Sequence, residues 1–108
     1  MSPEREPRRV AFVLRVRPDK IDEYVAAHRD VWPDMLRVLK ESGIRNYSIF
    51  RDGNQVFGYF ESDDLAAAAA YLGRQEVCAR WQDAMADLLE ERVPDSGPLP
   101  LEEIFRLA

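Results

Sequence analysis

Cysteine and histidine are nearly missing from this chain: Cys78 and His28 are single occurrences among 108 residues. One thiol cannot close an intrachain disulfide, so no disulfide framework holds the fold, and a reducing, cytoplasmic setting fits. One thiol and one imidazole also fall short of the ~4 ligands of a zinc site, so no metal is expected. The acidic residues lack the loop spacing that holds calcium. No run approaches the ~18 apolar residues of a membrane span, and the first twelve residues have no signal-peptide-like apolar stretch. Basic residues number 15 against 20 acidic ones, a formal net charge of -5. Nucleic-acid binding needs clustered Lys and Arg, so neither a nucleic-acid nor a membrane partner is expected. Glycine-rich phosphate loops and serine-centred nucleophile motifs are absent as well.

What remains is the composition of one folded domain, with 46% apolar and 32% charged residues. Arg5, Arg8 and Arg9 alternate with Glu4 and Glu6, so residues 1–9 are expected to fray and residues 10–108 to form a single domain. Val10 to Val16 is rich in β-branched and aromatic residues and predicts a strand. Pro18 ends it and suits the first turn of a helix. Ile21, Tyr24, Val25, His28 and Trp32 follow at helical spacing, with a kink or a restart expected where Pro33 follows Trp32. The apolar pattern runs on through Met35 and Leu39 to Gly43.

Ile44 to Arg51 and Asn54 to Glu61 predict two strands joined through Asp52-Gly53, a hairpin pair that tolerates positive φ. Ser62, Asp63 and Asp64 cap a helix that Gly73 interrupts. A longer amphipathic helix then carries Val77, Cys78, Trp81, Met85, Leu88 and Leu89 on one face. Prolines make residues 93–100 a loop, and Leu101 to Leu107 supplies a last strand. The order β-α-β-β-α-β is that of an α+β, ferredoxin-like split βαβ domain with an antiparallel sheet. Strand one is apolar on both faces, Phe12 and Leu14 against Ala11 and Val13, and strand three repeats this with Val56 and Phe60 against Phe57 and Tyr59. A sheet with one wet face alternates instead. A homodimer with facing sheets, a dimeric α/β barrel, is the simplest cover.

Tyr24, His28 and Trp32 fall on nearly one helical face. An imidazole that moves protons near neutral pH, a phenol that binds hydroxyls and an indole that covers an apolar ring face suit a sugar pocket. On pattern alone each residue also has a plainer reading. A lone His is more often a boundary residue, Trp81 and Met85 read as core, Tyr47 as a sheet aromatic, and Cys78 as an inert buried thiol. Unaided, the residues support a cofactor-free pocket.

Taken together, the stretches 11–35, 43–50 and 77–85, with LEEIFRL near the end, resemble the L-rhamnose mutarotase family over nearly the whole chain. The spacing Tyr24-x3-His28-x3-Trp32-Pro33, followed by Asn46-Tyr47, carries most of that likeness. The resemblance implies a dimer of ferredoxin-like protomers that interconverts rhamnose anomers without metal or cofactor. It implies that His28 is the catalytic proton donor, that Tyr24 and Tyr47 contact the sugar, and that Trp81 borders it. The second of the two adjacent aromatic positions, commonly Trp in that family, is Gln82 here, an amide able to bind a hydroxyl. Tyr24 is expected to orient a hydroxyl or relay the complementary proton, and Trp32 to help hold the sugar's apolar face. The rival readings are a ferredoxin-like haem-binding protein or cofactor-free monooxygenase, and a non-catalytic small-molecule binding module.

Overall fold

The computed structural model describes residues 8–108. Strand β1 runs Arg8–Arg15, and a 3-10 turn at Pro18–Lys20 leads into α1, Ile21–Arg29. Helix α2 spans Pro33–Glu41, the hairpin strands are β2, Arg45–Asp52, and β3, Gln55–Ser62, and the helices α3, Leu65–Gly73, and α4, Glu76–Ala86, complete the order. The sheet is antiparallel with strand order β1-β3-β2. The expected frayed segment does not extend to Arg8 and Arg9, which pair with Ser62 and Glu61 of β3; residues 1–7 lie outside the described residues.

The helices cover one face of the sheet, where Val10, Phe12, Val56 and Phe60 are buried. Phe12 lies directly opposite Gly58, and a Cβ there would stand 2.0 Å from the Phe12 ring tip, so only glycine lets this ring cross β3. A larger cluster gathers Val16, Tyr24, Val38, Leu72, Trp81 and Leu89 between sheet and helices. The opposite face leaves Val13, Phe50 and Phe57 exposed in a row across all three strands. Both faces are therefore apolar at their centres, as the strand patterns indicate.

Two local readings are corrected. The hairpin turn is Gly53-Asn54 rather than Asp52-Gly53, because Asp52 already pairs with Gln55. Gly53 at φ 61 is the residue that a type II′ turn needs at its first central position. Of the kink or restart expected at Pro33, the helix takes the restart. It stops at Arg29 and restarts at Pro33, with Trp32 extended at φ -53, ψ 134, as the proline ring demands of its predecessor.

The second correction concerns the last strand, which does not form within the chain. Leu88–Glu90 brackets the end of β1 through Arg17 N–H to Leu88 O at 2.8 Å and Glu90 N–H to Arg15 O at 2.9 Å. Beyond it the tail touches β1 through one backbone bond, Leu101 N–H to Ala11 O at 2.8 Å, and the Arg9–Glu103 ion pair. Leu101, Ile104, Phe105 and Leu107 are all exposed. A strand needs a ladder and a surface for its apolar face, and within one chain residues 101–107 find neither.

Candidate functional site

A cavity of about 720 Å³ opens between the inner face of β2 and the helices. Its walls come from α1 at His28, α2 at Leu36 and Leu39, β2 at Tyr47 and Ile49, and α4 at Cys78, Trp81 and Gln82. Small residues of the alanine run, Ala68 and Ala69, leave it room, and Ser96 to Pro100 form part of the rim. Arg92 holds that rim segment to α4 by bonding both Asp83 and Asp95.

His28 stands on α1 one turn after Tyr24. Its Nδ1 lies 2.9 Å from the Tyr24 carbonyl oxygen, so the Nδ1–H donates there and Nε2 is the ring nitrogen left free. The imidazole stacks on the Tyr24 phenol, centroids 4.2 Å apart at 33°, and meets the edge of Trp81 at 5.4 Å and 81°. Burial holds the imidazole below its ordinary value, and the hydrogen bond to the Tyr24 carbonyl opposes that in part. The ring is fixed in tautomer, orientation and environment.

Tyr24 is buried beneath His28 and is not among the residues that line the cavity. Desolvation raises its phenol to about 12, so it stays protonated at any physiological pH. Tyr47 does line the cavity, and its phenol is pushed up by burial and by the neighbouring Tyr24. Its ring packs on Phe60 at 5.2 Å and on Phe12 at 6.2 Å.

A bulge in β2 aims Tyr47. Arg45 pairs with Glu61 and Ser48 with Tyr59, so one extra residue sits between them on β2. Asn46 absorbs it in the left-handed region at φ 52, and its Nδ2 donates to Glu61 Oε1 at 2.9 Å. The Tyr59 hydroxyl and the Asn46 amide together hold the Glu61 carboxyl below its ordinary value. Without the extra residue, strict alternation would place Tyr47 and Arg45 on one face.

Trp32 lies outside this cavity. The chain break before Pro33 takes it off the helical column, and it borders a separate depression with Val77 and Arg80. It meets Trp81 edge-on from outside, 5.1 Å at 89°, and so supports the cavity wall without facing the cavity. Trp81 and Gln82 are both buried and both line the cavity. The structure thus brings His28, Tyr47, Trp81 and Gln82 to one space, with Tyr24 behind and Trp32 outside. Sequence reasoning missed the aliphatic wall from α2, the Ser96–Pro100 rim and the Asn46 bulge. An Asn in a strand was the one available sign of the last.

Among the described residues no group of three or more His, Cys, Asp or Glu is placed to hold a metal ion. Cys78 is buried, and burial raises its thiol above the ordinary range, which keeps it un-ionised. The arrangement offers one imidazole with a free Nε2, protonated phenols, an amide and an indole wall. Such a set can exchange protons with a polyhydroxylated ring and cover its apolar face.

Comparison with known proteins gives a concordant picture. A sequence model described as L-rhamnose mutarotase matches residues 9–107. The L-rhamnose mutarotase of Pectobacterium carotovorum is 41% identical over 103 residues, 92% of this chain and 97% of that protein. That of Opitutus terrae is 40% identical over 103 residues, with 92% and 97% covered. The crystal structure of an L-rhamnose mutarotase from Formosa agariphila superposes with a TM-score of 0.72 at 34% identity, covering 94% of this chain and 99% of that one.

Proposed function

The chain belongs to the L-rhamnose mutarotase family, and on that premise we propose that it interconverts the α and β anomers of L-rhamnose with His28 as the proton-transfer group. The observation that carries this reading is the single imidazole at the cavity wall, its Nδ1 tied to the Tyr24 carbonyl and its Nε2 free. The protein is a carbohydrate isomerase, and the haem, monooxygenase and binding-module readings fall away with the family assignment.

Mutarotation breaks the C1–O5 bond of the pyranose and re-forms it on the other face of the aldehyde. The ring oxygen gains a proton as the bond breaks, and the C1 hydroxyl loses one. His28 as imidazolium donates from Nε2 to O5. The neutral imidazole then recovers the proton shed by O1, directly or across one water, so the cycle neither consumes nor releases protons. Closure runs the same steps backwards. A positioned acid–base group of this kind contributes about 10²–10⁴-fold. Tyr47 binds a sugar hydroxyl at the cavity wall, and Trp81 covers the apolar ring face. Tyr24 fixes the imidazole through its carbonyl and ring and is too weak an acid to act as a free base. Set behind His28 and outside the cavity lining, it keeps its proton and positions the imidazole rather than the sugar.

The same reading takes the protein as a cytoplasmic homodimer of ferredoxin-like protomers. The order β1-β3-β2 leaves the place beside β1 for a fourth strand, and the tail already touches β1 there. The exposed row Val13, Phe57 and Phe50 supports a second copy as cover for the outer sheet face. No helix among the described residues is long and apolar enough to cross a membrane. The test is anomer exchange of L-rhamnose followed by saturation-transfer NMR: added protein accelerates it, and an unchanged exchange rate sinks the assignment.

A further inference from the structure

Two polar side chains are buried among the described residues, Ser62 and Gln82. Ser62 is satisfied, its Oγ accepting from the Asp64 backbone N–H at 3.3 Å. The Gln82 amide, 9% exposed, has no hydrogen-bond partner among the described residues. Among the described residues no unpartnered side-chain N or O is sealed from contact, so its amide keeps a free surface, and Gln82 lines the cavity wall. An amide carries two donor hydrogens and an acceptor oxygen, and a ligand that offers only carbon against it leaves them unpaired.

The surroundings of Gln82 decide which part of a sugar meets it. Ala68 and Leu72 line the cavity from α3 and Cys78 from α4, the helix that carries Gln82, whereas His28 and Tyr47 enter from α1 and β2. L-Rhamnose has hydroxyls on ring carbons 1 to 4 and a methyl group on C5. With His28 at the ring oxygen and Tyr47 on a hydroxyl, the methyl is the part suited to the wall from α3 and α4. There it would rest against an amide that it cannot satisfy. A hydroxymethyl group in the same place supplies both a donor and an acceptor.

We propose that Gln82 is a specificity-determining residue that hydrogen-bonds a hydroxyl on the exocyclic carbon, so that this enzyme takes 6-hydroxylated hexopyranoses as well as the 6-deoxy sugar. The matching probe is L-mannose, which differs from L-rhamnose only by oxygen at C6. The proposal rests on the mutarotase reading and names a substrate class for the same site. The cavity has room for the added oxygen, at about 720 Å³ for a single monosaccharide.

The test measures catalysed anomer exchange of L-mannose and L-rhamnose with the wild-type protein, Gln82→Leu and Gln82→Met. Both substitutions keep a side chain of similar size and remove the amide. The ratio of the two sugars' kcat/KM is taken within each protein, so a loss of folded fraction cancels. Wild type accelerates both sugars, and each variant lowers the L-mannose to L-rhamnose ratio by about three- to tenfold, the worth of one neutral hydrogen bond. Acceleration of L-rhamnose alone by wild type, or a ratio unmoved in the variants, overturns the proposal and leaves the mutarotase reading standing. Acceleration of neither sugar overturns both.

Discussion

At the scale of single residues, the burial of His28 sets a pH dependence with a definite sign. Desolvation lowers the imidazole below its ordinary ~6.5. As a proton donor it works in the charged form, and lowering the pKa makes that form scarcer near neutrality but a stronger acid. The rate of catalysed anomer exchange should therefore fall as pH rises above a midpoint below ~6.5, by about tenfold per unit once well past it. Saturation-transfer rates from pH 5 to 8 check this, and a rate that climbs with pH would make His28 a base in the limiting step. Stability follows the same shift with its own sign. The folded state binds its proton less readily than the unfolded chain, so this residue's contribution is complete above ~6.5 and shrinks as pH falls through that value. The identity of this residue was legible from the sequence because it is the single histidine. Its protonation behaviour was not, since that depends on the Tyr24 carbonyl, the rings around it and its burial.

At the scale of elements, two irregularities shape the site, and they differ in legibility. The break between α1 and α2 was signalled by Pro33, but where it leaves Trp32 was not. A proline constrains the residue before it, so Trp32 left the helical column that spacing alone assigned to it. The bulge at Asn46 carried almost no local sign, because a bulge is defined by pairing with a distant strand, here Glu61 and Tyr59. Its role is testable through backbone preference. Asn46→Gly keeps easy access to φ 52 and loses only the bond to Glu61. Asn46→Val puts a β-branched residue in the left-handed region, a strain of about 1–2 kcal/mol. The valine variant should melt lower and lose several-fold more kcat/KM for L-rhamnose than the glycine variant. Equal kinetics in the two would mean that the bulge does not aim Tyr47.

At the scale of the whole molecule, the sheet and the tail point beyond one chain. The two-sided apolar pattern of β1 and β3 was readable as residue alternation, and Val13, Phe50 and Phe57 do stand exposed in one row. The last strand was also readable as a β-type sequence. It fails to form because a strand is completed by its neighbours, and Ile104, Phe105 and Leu107 have no surface of their own chain to cover them. Phe57→Asp places a charge at the centre of the outer face, where burying it against a second copy would be costly. Sedimentation at tens of micromolar should give a dimer for wild type and a monomer for this variant, with the fold intact by circular dichroism. A monomeric wild type would remove the facing-sheet arrangement.

The measurement that bears most directly on the whole account replaces the imidazole and watches the sugar. His28→Asn keeps a polar side chain of similar reach but cannot exchange a proton near neutral pH. With the cavity otherwise unchanged and the thermal midpoint near that of wild type, L-rhamnose anomer exchange should drop by about 10²–10⁴-fold. Exchange as fast as with wild type would show that the proton travels by another route, and the imidazole would lose its place in the reaction.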